Sequence, residues 1–221
     1  MSKNLFLLAL LFVQCGNLAV NDSSKCDVIN EKTAKLVYDY YFNNDLLLLD
    51  SALIYIDEGL KKCNKYEKLF SLRKLGVLSL KQNYNDALQF IESFDENMFG
   101  ELPYFKNFLN NRFIAMQAHF VGDSVTRNSY LNEIVAEIDL FLSMNDKEIK
   151  ALLKLSDVNE ILENPLTTSL MQYYYYKALL EGAENVKVKL NLLYRNQMIS
   201  EEFKDILISI FDEDFLVFVG F

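Results

Sequence analysis

The chain has 221 residues, 22 of them basic and 31 acidic, for a net charge of −9. That length supports one large or two small domains around a substantial core, and the acidic balance supplies no basic patch to displace counterions from a nucleic-acid backbone. Its 7 Gly and 2 Pro are too few for a many-turned β protein, while 13 Tyr and 17 Phe are too many for a disordered chain.

Residues 1–15 read as a targeting segment, with Lys3 as the positive start and Leu5 to Val13 as an unbroken apolar run. So short a run does not span a bilayer core of roughly 30 Å as a helix, so it reads as the apolar region of a signal peptide. Cys15-Gly16-Asn17 follows directly. An apolar run closing on a cysteine, a small residue and an asparagine resembles the lipobox of bacterial lipoproteins. Phe12 stands where leucine is usual, and Gln14 where a small residue is usual. The resemblance implies that Cys15 is lipidated and becomes the first mature residue, with residues 16–23 as a tether. It also implies a place in the bacterial cell envelope, periplasm or outer membrane. Each buried acyl methylene would hold the protein at the membrane by about 0.8 kcal/mol. The same residues also fit simple cleavage, for example after Ala19, which leaves a soluble secreted protein.

Ser24 and Asp27 have capping-box spacing and open a first helix near Lys25 that carries Val28, Ile29, Leu36, Val37, Tyr40 and Tyr41 and stops at Asn43-Asn44. A second helix runs from about Leu46 to Lys62. Cys26 lies 18 residues before Asn44 and Cys63 lies 19 after it. Equal rise along two antiparallel helices brings the two cysteines side by side at the open end of the hairpin. The spacing predicts a Cys26–Cys63 disulfide, which an exported protein permits; the other reading is two unpaired cysteines in a helix interface.

The stretch from Lys68 to Phe94 holds two amphipathic helices. Leu69, Leu72, Gly76 and Ser79, with Leu75 and Leu78, stripe the first; Ala87, Leu88, Ile91 and Phe94 stripe the second. The polar connection Lys81 to Asp86 is short enough to force antiparallel packing, with Asn83 suited to the left-handed helix end and Asn85 or Asp86 to the next cap. A mid-helix glycine costs roughly 1 kcal/mol, which assigns Gly76 to a close approach of backbones. Leu75-Gly76, Tyr84 and Ala87 resemble the leucine-glycine, turn tyrosine and second-helix alanine of the tetratricopeptide pattern, with a turn one residue shorter and no opening tryptophan. An ordinary helical bundle is the other reading of these stripes.

Further along, Pro103 leads into a helix that Gly122-Asp123 ends, and its partner runs from Leu131 to Ser143. Asn145 with Glu148 opens a short helix, Ser156 to Asn164 is a second short segment, and Asn164-Pro165 begins a helix that Gly182 stops. Val186 to Tyr194 is its partner, and Ser200 caps the last helix. The expected fold is therefore all-α, with hairpins at 25–63, 67–98, 104–143 and 165–196 stacked as in a tetratricopeptide-like superhelix of about 8 to 10 helices. Residues 24–221 are expected to form one helical-repeat domain, with a subdomain break, if any, at the 145–164 insert.

Catalysis is poorly supplied. His119 is the one histidine, and there is no G-x-S-x-G elbow, P-loop or H-E-x-x-H. The carboxylates at Asp212-Glu213-Asp214 and at Glu92, Asp95 and Glu96 read as solvated charge runs. No metal, cofactor or reaction is expected. In tetratricopeptide-like arrays the first helix of each pair lines a concave groove, and the resemblance places Phe70, Arg73 and Val77 there, then Leu109, Arg112, Met116 and His119, then Gln172, Tyr176 and Leu179. Arg73 and Arg112 fall at equivalent positions, where two guanidinium groups could clamp a carboxylate or acidic peptide or merely pair with acidic neighbours. Four consecutive helical tyrosines, Tyr173 to Tyr176, cannot all be core, since each step turns 100°. The apolar tail Phe215 to Phe221 is expected to fold back or dock. These features point to a non-catalytic envelope lipoprotein that binds a protein or peptide partner, with an immunity or inhibitor protein directed at a secreted toxin as the alternative.

Overall fold

The computed structural model describes residues 23–95, 98–100 and 102–211, and every regular element among them is helical. The lipobox cysteine Cys15, the carboxylates at 96 and 212–214, and the apolar tail lie outside these residues. The elements are α1 (Ser23–Asn43), α2 (Leu46–Lys62), a single 3-10 turn (Asn64–Tyr66), α3 (Glu67–Leu80), α4 (Tyr84–Glu92), α5 (Phe105–Phe120), α6 (Ser124–Met144), α7 (Asp146–Leu152), α8 (Val158–Glu163), α9 (Pro165–Glu181), α10 (Ala183–Arg195) and α11 (Glu201–Ser209). They pack in neighbouring pairs, as the leucine spacing predicts, and none is long and apolar enough to cross a membrane.

The chain divides into two compact units, at Phe90 and Ile91. The expected break at 145–164 is not where the division falls. Within the second unit α9 packs on α6, and Ser200 pins the insert by bonding the carbonyls of Leu153 and Leu155. Short helices α7 and α8 are therefore built into that unit.

In the first unit α2 is the central helix. Its Leu49, Ala52 and Ile56 are buried with Phe70 and Val77 of α3, and α1 lays Ile29, Leu36, Val37 and Tyr40 against the same core. Cys26 and Cys63 are joined by a disulfide, Cα to Cα 5.8 Å, closing 37 residues of chain. Removing that much loop freedom from the unfolded chain stabilises the fold by roughly 4 kcal/mol. The Asp27 carboxylate accepts the Tyr66 hydroxyl at 2.6 Å, another tie from α1 to the segment after the bridge.

The α3–α4 turn corrects two expectations. Gln82, not Asn83, takes the left-handed conformation (φ 57°), because its N–H bonds the Ser79 carbonyl while that of Asn83 reaches Leu78, the crossed pair that closes a helix end. Asn83 is then free to open α4, bonding Asp86 through side chain and backbone, so Asn85 and Asp86 are inside the helix. Lys74 of α3 lies over the Phe90 ring of α4, 4.5 Å from its centre, a contact across the turn between them. The same crossed bonds recur at Gly122 after α5 and at Gln197 after α10.

Gly76 is not a close-approach residue: a methyl group there would meet nothing within 4 Å. Gly59 is. A Cβ on Gly59 would stand 2.6 Å from the fully buried Phe70 ring, so α2 and α3 approach through that one missing side chain. Gly59→Ala is expected to destabilise the protein by about 1–3 kcal/mol, because Phe70 has no space to retreat into. Gly76→Ala should instead stabilise it by about 0.5–1 kcal/mol. Urea unfolding of the two variants checks both signs.

Candidate functional site

The residues expected to line a groove are largely interior. Phe70 and Val77 belong to the first unit's core, and Arg112, Met116, Leu109, Gln172 and Tyr176 are buried in the second. The reason lies in α3 and α5 themselves, which are apolar on more than one face and so acquire neighbours on the face that a tetratricopeptide-like array leaves open. In the second unit α9 is that neighbour. Its Ser169 and Gln172 bond the Tyr104 hydroxyl at 2.8 and 3.0 Å, and Tyr176 meets Phe108 edge-on at 5.6 Å.

Neither arginine projects into a groove, and the two belong to different units, so no shared clamp forms on either unit. Arg73 reaches across to α1, donating to the Asn30 carbonyl at 2.9 Å, the Asn30 side chain at 2.6 Å and the Thr33 hydroxyl at 2.6 Å. Arg112 is fully buried beside Tyr176. Burial pushes the Tyr176 hydroxyl above its ordinary pKa, and the nearby Arg112 charge pulls it part of the way back. Arg73 therefore holds α3 to α1, and charge-assisted bonds of this kind contribute about 1.5–3 kcal/mol each.

His119 and the half-buried carboxylate of Glu137 lie toward opposite ends of α5. His119 is exposed at the end of α5, its Nδ1 3.2 Å from the Arg127 guanidinium. Glu137 of α6 is the carboxylate that burial holds above the usual range, and its bonding partner is Asn107, at the other end of α5. At helical rise the 12 residues from Asn107 to His119 span about 18 Å. Among the described residues no group of His, Cys, Asp and Glu could hold a metal ion. Of the four tyrosines, Tyr175 and Tyr176 are core, while Tyr173 and Tyr174 are half-buried, with Lys177 bonded to the Tyr173 hydroxyl at 3.0 Å.

What the first unit does expose is the tip of its disulfide-closed hairpin. Within ten residues Tyr38, Tyr41, Phe42, Leu46 and Leu47 are all exposed, Phe42 by 60% and Leu47 by 70%. Local structure fixes their direction. Asn44 turns the chain in the left-handed conformation (φ 52°), Asp45 caps α2 by accepting the Leu47 N–H at 3.0 Å, and Tyr38 packs its ring 4.6 Å from Phe42. The helical stripe of α1 pointed to Tyr41 with Tyr40; Leu36, Val37 and Tyr40 pack against the core, while Tyr41 and Phe42 are exposed. The tip of the α5–α6 hairpin repeats the pattern with Phe120, Val121 and Val125 exposed. Sequence periodicity missed both, since a stripe at helical spacing looks the same whether or not a neighbour covers it. Five large apolar groups at one tip form the kind of patch that binding surfaces are made of.

Comparison with family models, with curated proteins and with solved structures finds no match.

The buried tyrosines give a pH test of this arrangement. Burial pushes Tyr104 up to about 12, partly offset by Ser169, and Tyr174 up to about 12 with Tyr173 adding to it. The folded protein then keeps protons that the unfolded chain releases near pH 10, so stability is intact below about pH 10 and falls as pH rises toward 12. Absorbance at about 295 nm should show tyrosines still protonated at about pH 11 that ionise when urea is added. A single titration of all tyrosines near their free value would contradict the buried seam between α5 and α9.

Proposed function

We propose that the chain is a non-catalytic, lipid-anchored scaffold of the bacterial cell envelope that binds a protein or peptide partner through exposed hairpin tips. The single observation that supports it most is the α1–α2 tip, where Tyr38, Tyr41, Phe42, Leu46 and Leu47 face solvent on a rigid, disulfide-closed hairpin. The groove expected on the first-helix faces is replaced in this reading, because those faces are buried. A disulfide closing the first hairpin suits an exported protein, since cytosolic thiol pools keep such pairs reduced. The lipobox-like Cys15-Gly16-Asn17 suits attachment to a membrane surface, with the folded units held off it by residues 16–23.

Two measurements test the reading. Labelled palmitate is expected to enter the protein and to be absent from Cys15→Ala, whereas equal labelling of neither would leave a soluble secreted protein. A photo-crosslinking amino acid at Leu47 is expected to trap a discrete partner in envelope fractions, and the same group at exposed Val188 on α10 is expected to trap none. No adduct from Leu47, or the same adducts from both positions, would remove the scaffold reading. An adduct that is a secreted toxin would move the protein to the inhibitor class.

A further inference from the structure

The two cysteines of the bridge are not equivalent. Cys63 belongs to the core of the first unit, 3% exposed among Leu49, Ala52, Ile56, Phe70 and Val77, whereas Cys26 packs against that core and stays half-buried. Their backbones differ in the same sense. Cys63 ends α2 with its N–H bonded to the Gly59 carbonyl at 2.8 Å, and its own carbonyl accepts the Tyr66 N–H at 2.8 Å, so it is held in place apart from the bridge. Cys26 lies in the first turn of α1, between exposed Lys25 and Val28, which is 60% exposed. Thiol–disulfide exchange depends on thiolate character and on access to the attacked sulfur. In the reduced chain the first turn of a helix favours a thiolate on Cys26, while apolar surroundings disfavour one on Cys63. Both requirements select Cys26.

We propose that Cys26 is the exchange site of the bridge, the sulfur through which an outside thiol or disulfide makes and opens it, with Cys63 as the internal partner that completes each step. This goes beyond the scaffold reading and does not rest on it. When the bridge is made, the Cys26 thiolate attacks one sulfur of an incoming disulfide, whose other sulfur leaves as a thiolate. Cys63, its proton passed to solvent, then attacks Cys26 Sγ, and the second incoming sulfur leaves in turn. The cysteine pair is oxidised by two electrons and the incoming disulfide is reduced to two thiols. Opening runs the same steps backwards. An outside thiolate bonds to Cys26 Sγ, the electron pair of the broken bond goes to Cys63, and a second outside thiol frees Cys26. The mixed disulfide on Cys26 is therefore the species that joins this chain to its exchange partner, and α1 is without its covalent tie while Cys63 stays in the core.

The experiment uses the full chain with Cys15→Ala, so that the two bridge sulfurs are the ones read. The oxidised protein is exposed under native conditions to reduced glutathione in one arm and, in the other, to a dithiol oxidoreductase whose second cysteine has been removed. Each reaction is quenched in acid, alkylated and mapped by mass spectrometry. The adduct is expected on Cys26, with the alkyl label on Cys63. An adduct in the glutathione arm alone assigns a small thiol as the exchange partner, and one in the oxidoreductase arm assigns a protein thiol. An adduct on Cys63, an even division between the two cysteines, or no adduct in either arm overturns the proposal. A rate measurement checks the cause. With oxidised glutathione, the free Cys26 of Cys63→Ala is expected to react about tenfold or more faster than the free Cys63 of Cys26→Ala in the folded protein. The two rates should converge in urea concentrated enough to unfold both variants. A difference that persists in urea comes from local sequence and not from the fold, and it contradicts the account, as do equal rates without urea.

Discussion

The first unit depends on how α1 is held. Among its described side chains, residues 25–43, only Thr33 is fully buried, and the apolar stripe of Ile29, Leu36, Val37 and Tyr40 is covered only in part. A helix covered only in part gains less from burial than α2 or α3 and depends more on its other ties. The fastening is supplied by other means: a covalent bridge at Cys26, the Tyr66 hydroxyl on Asp27, the Arg73 guanidinium on Asn30 and Thr33, and Lys32 bonded to Tyr55 of α2. All of these sit in the first half of α1. The second half extends past them and delivers Tyr38, Tyr41 and Phe42 to the tip. The feature that supports a binding role is thus a consequence of where the fastenings stop.

The second unit solves the same problem by burial. α9 lies against α6 and α10, and two of its polar side chains, Ser169 and Gln172, bond the hydroxyl of Tyr104 at the start of α5. Buried polar groups of this kind specify one docking of two helices, since any other register leaves donors unmatched. The side of α5 that carries Tyr104 and Phe108 is the one α9 meets.

Much of the architecture was legible in the chain before its structure. Glycine scarcity, leucine spacing and polar connections located the hairpins to within a few residues, and the counts on either side of Asn44 placed Cys26 against Cys63. What was not legible was rotation about each helix axis. α3 carries apolar residues nearly all round, so Leu69, Leu72 and Gly76 formed as good a stripe as Phe70 and Val77, and it is the second pair that faces α2. Gly59 gave no signal, because a close approach is defined by the ring it touches, and Phe70 lies 11 residues on. Arg112 read as a surface cation since nothing in its own helix announces a covering helix some 60 residues later. The exposed tip escaped for the opposite reason: Tyr38, Tyr41, Phe42, Leu46 and Leu47 have core-like identities, and only the packing shows that they stay exposed.

Hydrogen exchange of the oxidised and reduced protein, read peptide by peptide, tests most directly whether α1 is held by its fastenings and not by its own burial. On reduction of Cys26–Cys63 the amides of α1 are expected to lose protection by a larger factor than those of α3, whose Phe70, Leu75, Val77 and Leu78 are fixed in the core. Protection of α1 that survives reduction, or that falls only in step with α3, would contradict the account.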